Sequence, residues 1–178
     1  MRRLATAMAA AVLLLAGCSG APPDEQPTPT ATASPTHAPP TMPELALDDS
    51  PAGAEAFVRH YIDVLNYAAL TGDTSTLEEL SSPECDGCRS YVDSIVETYR
   101  SGGYIRDESW RVEDVESESV EAGVDVFAQV HVSAATFRES RESTEKASTP
   151  YRDSLRLTVS MTGDGDQWRV LAFVRSKA

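Results

Sequence analysis

Residues 50–72 read SPAGAEAFVRHYIDVLNYAALTG, and residues 124–132 read VDVFAQVHV. The period of the apolar residues differs between the two runs, and that difference decides the fold. In the first, Ala54, Phe57, Val58, Tyr61, Ile62, Val64, Leu65, Ala68 and Ala69 recur at i, i+3 and i+4, the spacing of one helix face. Glu55, Arg59, Asp63 and Asn66 fall opposite. Ser50 offers a capping hydroxyl, Pro51 suits the first helical position, and Gly72 suits the end. In the second run Val124, Val126, Ala128, Val130 and Val132 alternate with polar residues and Phe127, which is the period of a strand with one buried face.

Working outward, Ser75 with Glu78 predicts a capping box for a short second helix carrying Leu77 and Leu80, which Pro83 ends. A third helix is expected from Asp86 to Arg100, burying Tyr91, Val92, Ile95 and Tyr99, with Ser101-Gly102-Gly103 after it. Trp110 and Val112 suggest a strand, and Leu155, Leu157, Val159 and Met161 mark another. Gly163-Asp164-Gly165-Asp166 reads as a turn, without the bidentate acid a calcium loop needs. Trp168, Val170, Ala172 and Val174 return along a final strand, and Glu139–Pro150 reads as a charged loop or hairpin tip. Helices first and strands afterwards predict an α+β fold: three helices packed on a curved antiparallel sheet of about four strands. That order, with Trp168 and Phe173 on the last strand, resembles the NTF2-like, cystatin-related cone over roughly residues 52–178.

The N-terminus carries an address. Arg2 and Arg3 precede an apolar run from Leu4 to Ala16, the layout of a secretory signal and too short for a comfortable membrane span. Leu15-Ala16-Gly17-Cys18 resembles the lipobox of bacterial lipoproteins. The resemblance implies cleavage between Gly17 and Cys18 and a thioether-linked diacylglycerol on Cys18, which would anchor the exported chain to the cell membrane. From Ser19 to about Ser50 the chain is rich in proline and threonine and poor in large apolar residues. It cannot offset its ordering entropy and is expected to be a disordered tether. The expected organisation is therefore a signal peptide (1–17), a lipidated cysteine with its tether (18–50), and an α+β domain (51–178).

A second resemblance rests on several motifs in order: Leu65-Asn66-Tyr67-Ala68, Thr71-Gly72-Asp73, Cys85-Asp86-Gly87-Cys88, Tyr99, Gly102-Gly103 and Trp110. Together with the lipobox and the stalk, these resemble an actinobacterial lipoprotein family filed as a domain of unknown function. The likeness implies a location and a fold but no activity.

Composition narrows the chemistry. Among 178 residues there are 28 Asp and Glu against 15 Lys and Arg, a formal net charge of −13. Such a chain repels phosphate backbones, so no nucleic-acid partner is expected. Cys85 and Cys88 leave several readings open. Zinc would need two further ligands, and His60 and His131 stand singly. Haem attachment would need histidine where Arg89 stands. Thiol exchange usually places CxxC after a strand, whereas here a helix and Pro83 precede it, and the negative charge of Asp86 would disfavour a thiolate. A structural disulfide in an exported protein is the reading favoured here.

No nucleophile elbow, glycine-rich phosphate loop or paired-carboxylate motif occurs, so no catalytic residue, metal ligand or cofactor is assigned. On the first helix Tyr61 is the polar exception of the inner arc, while His60 on its shoulder and Asp63 opposite read as a solvated face. His131, with Phe127 and Phe173, is placed on the sheet surface away from the helices as a candidate partner patch. The expected function is a membrane-anchored, extracytoplasmic, non-enzymatic domain that binds an envelope protein or a small apolar ligand. The alternatives are an NTF2-like enzyme of isomerase or dehydratase type acting on a small apolar ligand through Tyr61 or another polar group inside the cone, and a CxxC thiol oxidoreductase.

Overall fold

A computed structural model describes residues 37–163 and 165–177. The signal segment, Gly17, Cys18 and the first part of the tether lie outside the described residues, as does Asp164.

Helix α1 spans Pro51–Thr71, with the Ser50 hydroxyl accepting from the Gly53 amide at 3.1 Å. It ends at Gly72, whose φ of 79° is a left-handed value that a Cβ would strain. Helix α2 is one short turn, Ser75–Glu79, and α3 spans Asp86–Arg100. The residue capping α2 is Thr74, not Ser75, and the Thr74 hydroxyl donates to Glu78 at 2.5 Å. On α3, Val92 and Ile95 are buried while Tyr91 and Tyr99 are half-buried.

Among the described residues seven strands follow: β1 (Tyr104–Arg106), β2 (Trp110–Val120), β3 (Gly123–Val132), β4 (Thr136–Arg138), β5 (Lys146–Ala147), β6 (Tyr151–Met161) and β7 (Trp168–Lys177). They make two antiparallel sheets, one of four strands in the order β2-β3-β6-β7 and one of three in the order β1-β4-β5. The expected α+β class and four-stranded antiparallel sheet are what the molecule has. The small sheet is an addition, because Glu139–Pro150 holds β5 within what reads as a charged loop.

Two bulges reset the alternation of the large sheet. In β2 the register shifts between Val112 and Asp114, and in β6–β7 it shifts between Thr158 and Val159. Thr158 pairs with Ala172 and Val159 with Val170, so Leu171 is the extra residue. Trp168 and Val170 face inward as expected, but beyond Leu171 the phase flips. Phe173 is buried and Val174 is exposed, the reverse of the expected inward Ala172 and Val174.

The core lies between the inner face of this sheet and α1, with α3 against β7. Every α1 residue expected on the apolar face is buried. The tether boundary needs correction. A 3-10 turn at Glu44–Leu47 packs on the domain, with Ala46 buried and Met42 against the core. The Asp48 carbonyl accepts from Trp168 Nε1 at 3.1 Å. Among the described residues packed structure therefore reaches back to about residue 42, ahead of the expected start at 51, because Met42 and Ala46 find apolar contacts that the surrounding proline-rich composition masks.

Candidate functional site

At one end of the large sheet β2 and β6 begin and β3 and β7 finish, and polar groups gather there. Asp153, near the start of β6, is 0% exposed. It shares its face with Leu155, Leu157 and Val159, so its carboxylate points into the core. Two Arg175 donors satisfy one of its oxygens: Nε–H and Nη2–H reach Asp153 Oδ2 at 2.9 and 2.7 Å. Its Oδ1 accepts from the Ser154 amide at 2.9 Å. Arg175 faces inward only because of the Leu171 bulge, and its Nη2 also donates to the Tyr151 hydroxyl at 3.0 Å. Burial opposes the Arg175 charge, but the bonds to Asp153 and Tyr151 outweigh it and hold the pKa above its ordinary value.

Aromatic residues surround the pair. The Arg175 guanidinium carbon stands 4.5 Å from the centre of the Trp110 ring, a cation–π stack. Trp110 Nε1–H donates to Glu108 Oε1 at 2.8 Å, and the Tyr91 hydroxyl donates to the same oxygen at 3.3 Å. Burial, with the Glu108 carboxylate adding to it, pushes the Tyr91 pKa well above the usual phenol value. Tyr91 meets Trp110 and Phe173 edge-on, with ring centres 5.9 and 6.4 Å apart. Asn66 fixes Trp110 by clamping its backbone: Nδ2 donates to the carbonyl at 2.9 Å and Oδ1 accepts from the amide at 2.8 Å. Outside this cluster lies an open groove of about 390 Å³, lined by Gly87, Ser90, Tyr91, Ser94, Phe173 and Arg175.

Asp153 is 0% exposed, so the lone pairs its oxygens keep are out of reach of a substrate, which a general base must touch. Deeper inside, Phe57, Tyr61, Ile95 and Trp168 are each at most 2% exposed. Ser81 Oγ donates to the Leu77 carbonyl at 2.7 Å, so at 3.0 Å the Tyr61 hydroxyl is the donor to Ser81 Oγ. Burial, partly offset by Ser81, raises the Tyr61 pKa to about 12. Tyr61 is therefore a neutral, bonded phenol at physiological pH.

The sulfurs of Cys85 and Cys88 lie at disulfide distance, 2.04 Å. Both residues are at most 2% exposed, and Cys85 caps α3, its Sγ accepting from the Cys88 amide at 3.2 Å. Between them Gly87 sits against β7 so closely that a Cβ there would come within 2.0 Å of the Phe173 carbonyl oxygen. The cysteine loop is thus seated on the strand that carries the groove's Phe173 and Arg175.

The remaining sequence candidates separate. His60 is not on a solvated face: it is 3% exposed, and burial lowers its pKa against a partial opposing pull from Asp63. Asp63 is exposed. Phe127 and His131 lie on the outer sheet face, but Phe173 points to the other side, so the three form no common patch. Among the described residues no group of three His, Cys, Asp or Glu could hold a metal ion, and no helix is long and apolar enough to cross a membrane. Sequence reading missed Asp153, whose parity with Leu155 marks it as inward. It also missed Arg175, whose orientation depends on the bulge.

The family model for DUF6318, a family of unknown function, matches residues 25–173, and the chain belongs to that family. No curated protein matches it. The chain is similar to the intermembrane space region of the chloroplast protein ARC6, with a TM-score of 0.53 and 12% identity over 72% of this chain and 98% of that one. It also matches an uncharacterised cystatin-like protein from Caulobacter vibrioides (TM-score 0.46, 9% identity, 72% and 87% covered). A third match is an NTF2-like superfamily protein from Salmonella enterica serovar Typhimurium (0.47, 12%, 72% and 93%). At these identities the likeness concerns fold alone.

Proposed function

We propose that this DUF6318 member is a lipid-anchored extracytoplasmic domain that binds at the cell envelope and carries out no catalysis. Two acyl chains on Cys18 would hold it to the membrane, and the residues up to about 41 would serve as its stalk. The binding surface is the groove over Tyr91 and Phe173, and its occupant is a small apolar ligand or an apolar side chain of an envelope protein. One observation carries this reading: the cone is filled. Phe57, Tyr61, Ile95 and Trp168 close the interior. The polar groups at its end are hydrogen-bonded to one another.

Cells expressing the full chain and fed an alkyne-tagged fatty acid test the anchor. Wild type should be labelled and membrane-bound, and Cys18→Ser should be unlabelled and either unprocessed or released. An unlabelled wild-type chain overturns the anchor. Amide chemical shifts during titration with indole or phenol test the binding surface. Shifts are expected at Ser90, Tyr91, Ser94 and Phe173. Shifts centred on Ile95, Val126 and Leu157 would mean that the cone opens to ligand, and the enzymatic reading would then replace this one.

A further inference from the structure

The small sheet gathers like charges. Tyr104 and Arg106 share one face of β1, and the register sets Arg138 of β4 opposite Tyr104. The guanidinium carbon of Arg106 lies 4.0 Å from the centre of the Tyr104 ring, and that of Arg138 lies 4.9 Å from it. A third cation joins them through the Ser101–Gly102 backbone. Arg138 Nη2 donates to the Gly102 carbonyl at 3.2 Å, and the Arg141 amide donates to the Ser101 carbonyl at 2.8 Å. Arg141 Nε stands 3.3 Å from where a Gly102 Cβ would be. Three guanidiniums thus crowd around one ring and one peptide.

No nearby acid among the described residues comes within ion-pair distance of them. Among the described residues none of the three arginines forms an ion pair, in a chain where acids outnumber bases 28 to 15. Glu139 pairs with Lys146 at 2.9 Å, Glu145 accepts from the Tyr104 hydroxyl, and Glu142 is exposed. Arg138 Nε is buried without a hydrogen-bond partner, the single such side-chain atom among the described residues. A buried donor left unpaired is costly, and packing alone gives no return for it. Fixed guanidiniums with unspent donors are the apparatus of oxyanion recognition.

We propose that Arg106, Arg138 and Arg141 form a phosphate-binding site, with Tyr104 as the platform that holds two of the three. A carboxylate presents two oxygens in one plane, which a single guanidinium fork satisfies. Three forks brought by two strands and a loop to one ring and one peptide would suit the tetrahedral oxygens and higher charge of a phosphate group. This site is separate from the Tyr91–Phe173 groove and does not depend on it. The phosphate is either free or the headgroup of an anionic lipid.

Hydrogen exchange of the full chain distinguishes the two sources. Inorganic phosphate is one probe and monomeric dihexanoyl phosphatidylglycerol the other. The controls are dihexanoyl phosphatidylcholine and sodium chloride at equal ionic strength. Slower exchange in residues 101–106 and 136–141 with inorganic phosphate supports the site and assigns a free phosphate. Slower exchange with phosphatidylglycerol alone supports it and assigns a lipid headgroup. Arg141 is exposed, so Arg141→Gln should fold as wild type yet bind roughly tenfold more weakly, with Arg141→Lys partly restoring affinity. Exchange that neither probe slows beyond its control overturns the proposal. So does undiminished binding by Arg141→Gln.

Discussion

Asp153 and Arg175 form a two-bonded ion pair across β6 and β7, with the carboxylate wholly buried and the guanidinium side chain 36% exposed. The aspartate cannot reach water, and the arginine can. Removing either partner is therefore unequal in its effect. Arg175→Leu strands an uncompensated charge in the core and should cost about 3–5 kcal/mol. Asp153→Leu with Arg175→Leu removes both charges and should recover most of that loss. Urea unfolding of the three proteins checks this, and a double variant no more stable than Arg175→Leu would show that the pair is not the source of the effect.

His60 gives the domain a pH-dependent step of its own. Burial lowers its folded pKa below the ordinary 6.5, with Asp63 opposing only in part. The unfolded chain therefore takes up the proton first, so stability rises with pH. The contribution is complete above about 6.5 and is lost as the pH falls toward the folded value. Asp73, Glu84, Glu97 and Glu113, held low chiefly by hydrogen bonds, add their losses only below about 4.5. Melting temperatures from pH 8 to 5 should fall for wild type and stay flatter for His60→Gln. Equal slopes would remove His60 as the cause.

Much of the fold was legible because its signals are local. Ser50-Pro51, the i, i+3, i+4 run to Ala69 and Gly72 define α1 from neighbours in sequence alone. The alternation from Val124 to Val132 does the same for β3. The candidate site was less legible because it rests on long-range register. Leu171 becomes a bulge through pairing with β6, and that pairing turns Phe173 and Arg175 inward toward Asp153. The location of His60 also depends on tertiary contact, since helix periodicity places it at the border of the apolar face. The 3-10 turn at Glu44–Leu47 hid within a proline-rich composition.

The N-terminal turn gives a prediction about domain limits. Ala46 is buried, and the Asp48 carbonyl binds the Trp168 indole and lies 2.0 Å from where a Gly53 Cβ would be. Chains starting at residue 42 should melt like longer ones, whereas a chain starting at residue 51 should lose about 1–3 kcal/mol from the uncovered core and the lost indole partner. Gly53→Ala should be destabilising as well, by forcing the turn away from α1. A chain beginning at 51 that melts unchanged would show that the turn contributes no stability.

Cys85 and Cys88 separate a structural link from thiol chemistry. The pair closes a very short loop at the start of α3, for which chain entropy gives about 2 kcal/mol at most. The double serine variant should lose about 1–2 kcal/mol and keep its fold. Gly87→Ala should disturb the same junction without touching sulfur, since its Cβ would meet the Phe173 carbonyl. While it stays folded, the double serine variant should keep any ligand bound over Tyr91 and Phe173. Exchange catalysis requires a sulfur that a partner thiol can reach, yet both residues are at most 2% exposed. Mild reduction followed by iodoacetamide should therefore label the folded chain far more slowly than the urea-unfolded chain. Rapid labelling of the folded chain, combined with unchanged stability in the double serine variant, would establish a reactive pair and displace the structural role.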